Sequence, residues 1–225
     1  MAAARIPAPR PAGQHRPPTL WLLAAGALLF LLALDAWASR TVSLTVFDLP
    51  LERLVQSTTW GPLGLVMDLS NRSSGWPQTL LGIAVAVGLL VWRWSAGLRL
   101  ALAALASLWD SLLKIAVHRP RPSSDLVHVS QATGGFSFPS GHAVFFTWLA
   151  VMLAVALVKG RGRWIRGLIW SAVVAVLLLA ALGRVWAGVH WPTDVLGGIL
   201  LGLGWCCLVQ ALPLPAFLLR IRNSE

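Results

Sequence analysis

Residues 165–182 read IRGLIWSAVVAVLLLAAL. Apart from Arg166 near its start, this stretch carries no charge. At about 1.5 Å per residue a helix over it spans roughly 27 Å, close to the ~30 Å hydrocarbon layer of a bilayer. Five comparable runs lie around it, at residues 20–38, 76–94, 98–117, 143–158 and 195–214. The run at 143–158 is short and reaches full length only if residues 139–142 extend it. Hydrophobic residues make up 57% of the 225-residue chain and charged residues 12%, whereas soluble domains carry about 25% charged residues. The expected fold class is therefore all-α, a polytopic membrane protein with six transmembrane helices. The expected domains are a disordered basic cytoplasmic tail at residues 1–19, a six-helix membrane domain at 20–219 and a short cytoplasmic tail at 220–225.

The first run has a second reading. A basic leader, a short apolar core and Ala36-Trp37-Ala38 also resemble a cleavable signal peptide. Either way the segment that follows lies outside. In that segment Phe47, Leu51, Leu54 and Val55 recur at helical spacing, with Asp48, Glu52 and Arg53 between them. This pattern fits a short amphipathic helix on the membrane surface, or an ordinary loop with scattered apolar residues. The 13 tryptophans, with no tyrosine, include Trp21, Trp76, Trp92, Trp94 and Trp164 at the ends of apolar runs, where interfacial anchors belong. Cys206 and Cys207 are adjacent within an apolar run, have no zinc-ligand spacing and read as packing residues. No internal repeat points to a transporter built from two halves.

A net charge of +10 raises the question of a nucleic-acid partner, but no basic stripe with interleaved aromatics is present. The charges read as topology signals. With the N-terminus inside, most of the 18 Lys and Arg fall in inner segments, as the positive-inside bias requires. Arg40, Arg53, Arg72, Lys114, Arg119, Arg121 and Arg184 fall outside, and that excess needs its own explanation.

Three polar clusters interrupt the apolar chain: Lys114 with Arg121-Pro122; Pro139-Ser140-Gly141-His142; and Arg184 with His190 and Asp194. Counting crossings, all three fall on the outer face. Lys114, Arg121 and Arg184 are cations suited to phosphate oxygens, Arg by its planar fork and Lys as a point charge. Residues 139–142 open a helical run, whose free N–H groups attract anions and whose glycine allows close approach. Two histidines and a carboxylate supply acid–base and nucleophilic chemistry, and Asp194 lies one helical turn beyond His190. Taken singly, the clusters also read as interfacial snorkelling residues, a helix start and a structural hydrogen-bonded pair. Together they place three cations near a bilayer edge without matching anions, and a phosphate would supply the missing charge.

In these motifs the chain resembles the type 2 phosphatidic acid phosphatase superfamily, which also includes vanadium haloperoxidases. The resemblance rests on Lys114, Arg121, Pro122, Pro139, Ser140, Gly141, His142, Arg184, His190 and Asp194, and extends over residues 98–214. One departure is Gly183, where the family pattern has Ser before the Arg. The resemblance implies that His190 attacks phosphorus and forms a phosphohistidine, that Asp194 orients His190, and that His142 protonates the leaving oxygen and then activates water. It implies that Lys114, Arg121, Arg184, Ser140 and the Gly141 N–H bind the phosphoryl oxygens, with no metal and no cofactor. The expected partners are the lipid bilayer and a lipid phosphate or diphosphate, with undecaprenyl diphosphate favoured over phosphatidic acid and phosphatidylglycerol phosphate. The expected location is the cell membrane, with the site on the non-cytoplasmic side. A lipid or anion transporter that binds phosphate without hydrolysis is the alternative of a different class, and a haloperoxidase the alternative on the same fold. Asp110, four residues before Lys114, is expected to pair with it. His118 and Arg119 are read as interfacial and His128 as solvated, while Asp68 and Asp125 have no assigned role.

Overall fold

A computed structural model describes residues 18–41, 44–131 and 133–214. The expected tails, with Arg5, Arg10, Arg16, Arg220 and Arg222, lie almost wholly outside the described residues. Among the described residues the structure is helical, with no strands: α1 (Pro18–Thr41), a π-helical turn (Leu44–Asp48), α2 (Leu49–Ser57), α3 (Pro62–Arg72), α4 (Trp76–Trp92), α5 (Trp94–Ala104), α6 (Ala106–Val117), α7 (Gly141–Leu157), α8 (Arg163–Trp186) and α9 (Pro192–Ala211). Prolines sit in the first turns of α3, α4 and α9, where a missing N–H costs nothing.

Four helical stretches are long and apolar enough to cross a bilayer: α1, α5 continued by α6 as Trp94–Val117, α8 and α9. A fifth is reached if α3 and α4 count as one broken span, although they meet at 86°. The 17-residue α7 is apolar but shorter. The six runs of the sequence thus all become helices, while α3 adds a helix at a near right angle that the runs do not show.

The core lies where α7 and α9 meet. α9 packs most extensively on α1 and next on α7, and α7 also contacts α5, α6 and α8. Val144, Trp148, Leu149 and Met152 of α7 join Leu100, Leu200 and Leu201 in one buried cluster. Close approach needs small residues. A Cβ on Gly198 would lie 2.6 Å from the Ser140 carbonyl oxygen, and one on Gly202 would lie 2.7 Å from Thr147 Cβ. By contrast α8 turns Trp164, Leu168, Val174 and Leu178 outward, as a helix facing lipid does. Trp76, Trp92, Trp94 and Trp164 stand at helix ends with exposed rings. Cys206 is buried and unbridged.

The amphipathic segment forms the π-helical turn and α2, and it buries acidic as well as apolar side chains: Leu51 and Val55 pack inward while Arg53 is exposed. Asp48 and Glu52 are fully buried against the protein, whereas Phe47 and Leu54 are exposed. Asp48 finds its partner inside the bundle, in Arg119.

Candidate active site

The ends of α6 and α8 and the starts of α7 and α9 converge at one end of the bundle. α6 stops at His118, whose φ of 52° breaks the helix while its N–H still donates to the Lys114 carbonyl. Pro120 and Pro122 then prevent renewal. α7 begins at Gly141, and the preceding Ser140 N–H donates to the Asp194 carbonyl at 2.8 Å. That bond ties the start of α7 to the first turn of α9.

His190 lies in the turn between α8 and α9 and is 3% exposed. Its Nδ1 is 2.9 Å from the Ser137 carbonyl. A carbonyl only accepts, so Nδ1 carries the proton and Nε2 holds the lone pair. Arg121 Nη1, 3.2 Å away, donates toward that lone pair. Burial pushes the His190 pKa down to about 4; Asp194 opposes the shift, and Arg184 and Arg121 add to it. At neutral pH the ring is uncharged, with Nε2 facing a guanidinium.

Asp194 is fully buried in the first turn of α9. Its Oδ2 accepts from the Trp191 N–H at 2.8 Å and from the Ser137 hydroxyl, and its Oδ1 accepts from Arg119 Nη1 at 2.6 Å. The distance from Oδ2 to His190 Nδ1 is 3.7 Å, beyond hydrogen-bond range. The immediate acceptor for His190 is the Ser137 carbonyl, and Asp194 acts on the ring as a nearby charge. Arg119 is not interfacial, contrary to expectation. It is 4% exposed and bridges Asp48, Thr193 and Asp194. His118 is exposed and packs edge-on against Phe136.

The other expected residues surround this unit. Lys114 Nζ is 2.5 Å from both Asp110 Oδ1 and the Pro139 carbonyl, so the expected Asp110 pair forms. A Cβ on Gly141 would lie 2.9 Å from Asp110 Oδ2, so the glycine is what lets that carboxylate approach α7. Arg121 also donates to the carbonyls of Gly134, Gly135 and Val189, and burial lowers its pKa. Arg184 is buried; its Nη1 reaches Asn71 Oδ1 and Ser74 Oγ, each at 3.3 Å, and its Nε has no partner. Ser140 Oγ is likewise buried without a partner. Such groups are rare in native interiors, and an anion is the ligand that Arg184 Nε and a serine hydroxyl can both donate to.

His142, in the first turn of α7, is held from outside the motifs. Ser70 Oγ lies 3.1 Å from its Nε2 and Ser74 Oγ 3.3 Å from its Nδ1. Sequence reasoning overlooks Ser70, Asn71 and Ser74, and the polar run at residues 70–74 between apolar stretches is the signal that marks them. Asn71 also donates to the Gly183 carbonyl at 2.9 Å. A Cβ on Gly183 would lie 3.3 Å from Met67 Cβ, so the departure from the family serine accompanies tight packing of α3 on α8. Asp68 pairs with Arg72 on the surface, Asp125 is exposed, and the exposed His128 bonds through its backbone to Gln56.

The PAP2 superfamily profile matches residues 92–216. The chain belongs to the PAP2 superfamily. All eight expected site residues fall inside the PAP2 match, whereas Asp48, Ser70, Asn71 and Ser74 fall before it. Phosphatidylglycerophosphatase B of Bacillus subtilis is 32% identical over 126 residues, which cover 54% of this chain and 60% of that protein. An undecaprenyl-diphosphatase of Sulfolobus acidocaldarius is 42% identical over 67 residues, 30% of this chain and 29% of that protein. The chain thus matches less than two thirds of the length of either. Among solved structures, the PAP2-type phosphatidylglycerolphosphate phosphatase of Bacillus subtilis superposes with a TM-score of 0.71 at 25% identity, covering 90% of this chain and 99% of that one. LpxE of Aquifex aeolicus superposes with a TM-score of 0.60, covering 75% of this chain and 97% of that one.

Proposed function

We propose that the protein is a six-span membrane phosphatase that hydrolyses a lipid phosphate monoester or diphosphate on the non-cytoplasmic face. The observation that carries this reading is His190, whose proton is fixed on Nδ1 by the Ser137 carbonyl and whose unprotonated Nε2 faces Arg121. Nε2 attacks phosphorus and the P–O bond to the lipid breaks. His142 gives its proton to the leaving oxygen, then takes one from the water that cleaves the phosphohistidine. Asp194 steadies the positive charge that His190 gains. Lys114, Arg121, Arg184, Ser140 and the Gly141 N–H hold the phosphoryl oxygens, and electrostatic stabilisation of that group supplies most of the catalysis. The six spans are α1, α4, α5 with α6, α7, α8 and α9, with α3 lying across the outer end. The relatives named as acting on phosphatidylglycerophosphate and undecaprenyl diphosphate support a lipid substrate, and undecaprenyl diphosphate is the favoured one.

The test is phosphate release by the purified protein from a panel of lipid phosphates, with and without chelator. Release that persists in EDTA, together with a base-stable, acid-labile phosphoenzyme, is expected. Loss in EDTA restored by a divalent metal overturns the metal-free chemistry. Binding with no release from any substrate favours the transporter reading.

A further inference from the structure

Arg119 joins the catalytic turn to a segment that precedes the PAP2 match. Asp48, at the end of the π-helical turn after α1, is fully buried. Its Oδ1 accepts the Thr193 N–H at 2.9 Å, and its Oδ2 accepts from Thr193 Oγ1 at 3.0 Å and from Arg119 Nη2. Arg119 Nη1 donates at 2.6 Å both to Thr193 Oγ1 and to Asp194 Oδ1. The Thr193 hydroxyl accepts from Arg119 and donates to Asp48, so it has one orientation. Asp48 therefore caps the start of α9 from a distance and aims the guanidinium that grips Asp194.

We propose that Asp48 is a positioning residue of the active site, which through Arg119 and Thr193 holds Asp194, and with it the His190 turn, in working geometry. This rests on the phosphatase reading. The alternative is a buried ion pair that serves stability alone. Buried pairs are a poor source of stability, because desolvating the charges offsets their attraction. Here the donors also converge on one carboxylate: Arg119 takes one oxygen of Asp194, and Ser137 with the Trp191 N–H takes the other. Asp194 and Asp48 are like charges, and Arg119 is the cation that pairs with both and keeps them together.

The experiment measures kcat and KM on an activated aryl phosphate in detergent for the wild type, Asp48→Asn, Asp194→Asn and the double variant. Asp48→Asn is expected to lower kcat roughly 10–100-fold, the range in which supporting partners of a site group act, with KM within about twofold. On the Asp194→Asn background it is expected to add little, because both act through one carboxylate. A folded Asp48→Asn with wild-type kcat, or an equal loss on both backgrounds, overturns the proposal. Should Asp48→Asn not run as a single species on detergent chromatography, Thr193→Val, which removes only the bridging hydroxyl, takes its place in the same two-background comparison. An inactive wild type instead fails the phosphatase reading, and the positioning role falls with it.

Discussion

The two histidines of the site occupy differently built surroundings. His190 lies in a lattice of buried, directional groups: a carbonyl on Nδ1, a guanidinium at Nε2, and a carboxylate 3.7 Å away. Every neighbour favours one tautomer. His142 has a serine hydroxyl at each nitrogen, Ser70 and Ser74, both from the α3 end of the molecule. A hydroxyl donates or accepts as required, so His142 can carry its proton on either nitrogen or on both. A nucleophile needs one fixed lone pair, whereas an acid that later acts as a base needs to change state. On the proposed mechanism, the contrast shows how two residues of one type are given different roles by the kind of partner each has.

That contrast is broken most directly at His190. His190→Ala should abolish phosphate release from every substrate, and near-normal rates in a folded variant would remove the proposed nucleophile. Asp194→Asn comes next, with a loss of up to about 10⁴-fold in kcat, as for an orienting carboxylate in a triad. Because the Ser137 carbonyl also holds Nδ1, a markedly smaller loss would show that the carbonyl alone sets the tautomer. His142→Ala should cost about 10²–10⁴-fold on a lipid alkyl phosphate and clearly less on an activated aryl phosphate, whose leaving group needs little protonation. Equal losses on both would sink the leaving-group role.

The smallest effect concerns stability. Both carboxylate oxygens of Glu52 are buried without partners. Burial, with Asp194 and Asp48 nearby, raises its pKa from 4.5 to about 8. A raised carboxyl pKa makes folding stability greatest below the unfolded value, and that stability is lost as pH climbs from about 4.5 to about 8. Glu52→Gln should therefore flatten the fall in Tm across that window, by roughly 2–4 °C for each kcal/mol recovered. An unchanged pH profile of Tm in detergent would show that Glu52 is ionised in the folded protein.

The motif half of the site was legible in the sequence because its chemistry is charged. A lysine, arginines or an aspartate amid apolar runs stand out, and the structure gathers them where the ends of α6 and α8 meet the starts of α7 and α9. What stayed hidden is neutral or mispaired. Ser70, Asn71 and Ser74 carry no charge, the first two on a helix too short to register as a run and Ser74 in the turn after it. Asp48 and Glu52 alternate with Phe47, Leu51 and Val55 as a surface helix would, and the pattern cannot tell which side faces the protein. Arg119 looked like an interfacial residue because its two carboxylate partners lie 71 and 75 positions away.

The segment from Arg119 to Pro122 also sets a rule of parity. A residue before proline is pushed toward extended backbone, and both Arg119 and Arg121 precede one. Extended backbone turns residues two apart to the same side, so Arg119 and Arg121 both face the turn that carries His190 and Asp194: Arg119 reaches Asp194 and, beyond it, Asp48, and Arg121 reaches His190. One guanidinium braces Asp194 and its neighbour but one faces the proposed nucleophile, with a single proline as spacer. Inserting or deleting one residue between them would turn one of the two guanidiniums away from that turn while leaving the composition almost untouched. The spacing of this arginine pair is therefore as much a part of the chemistry as the arginines themselves.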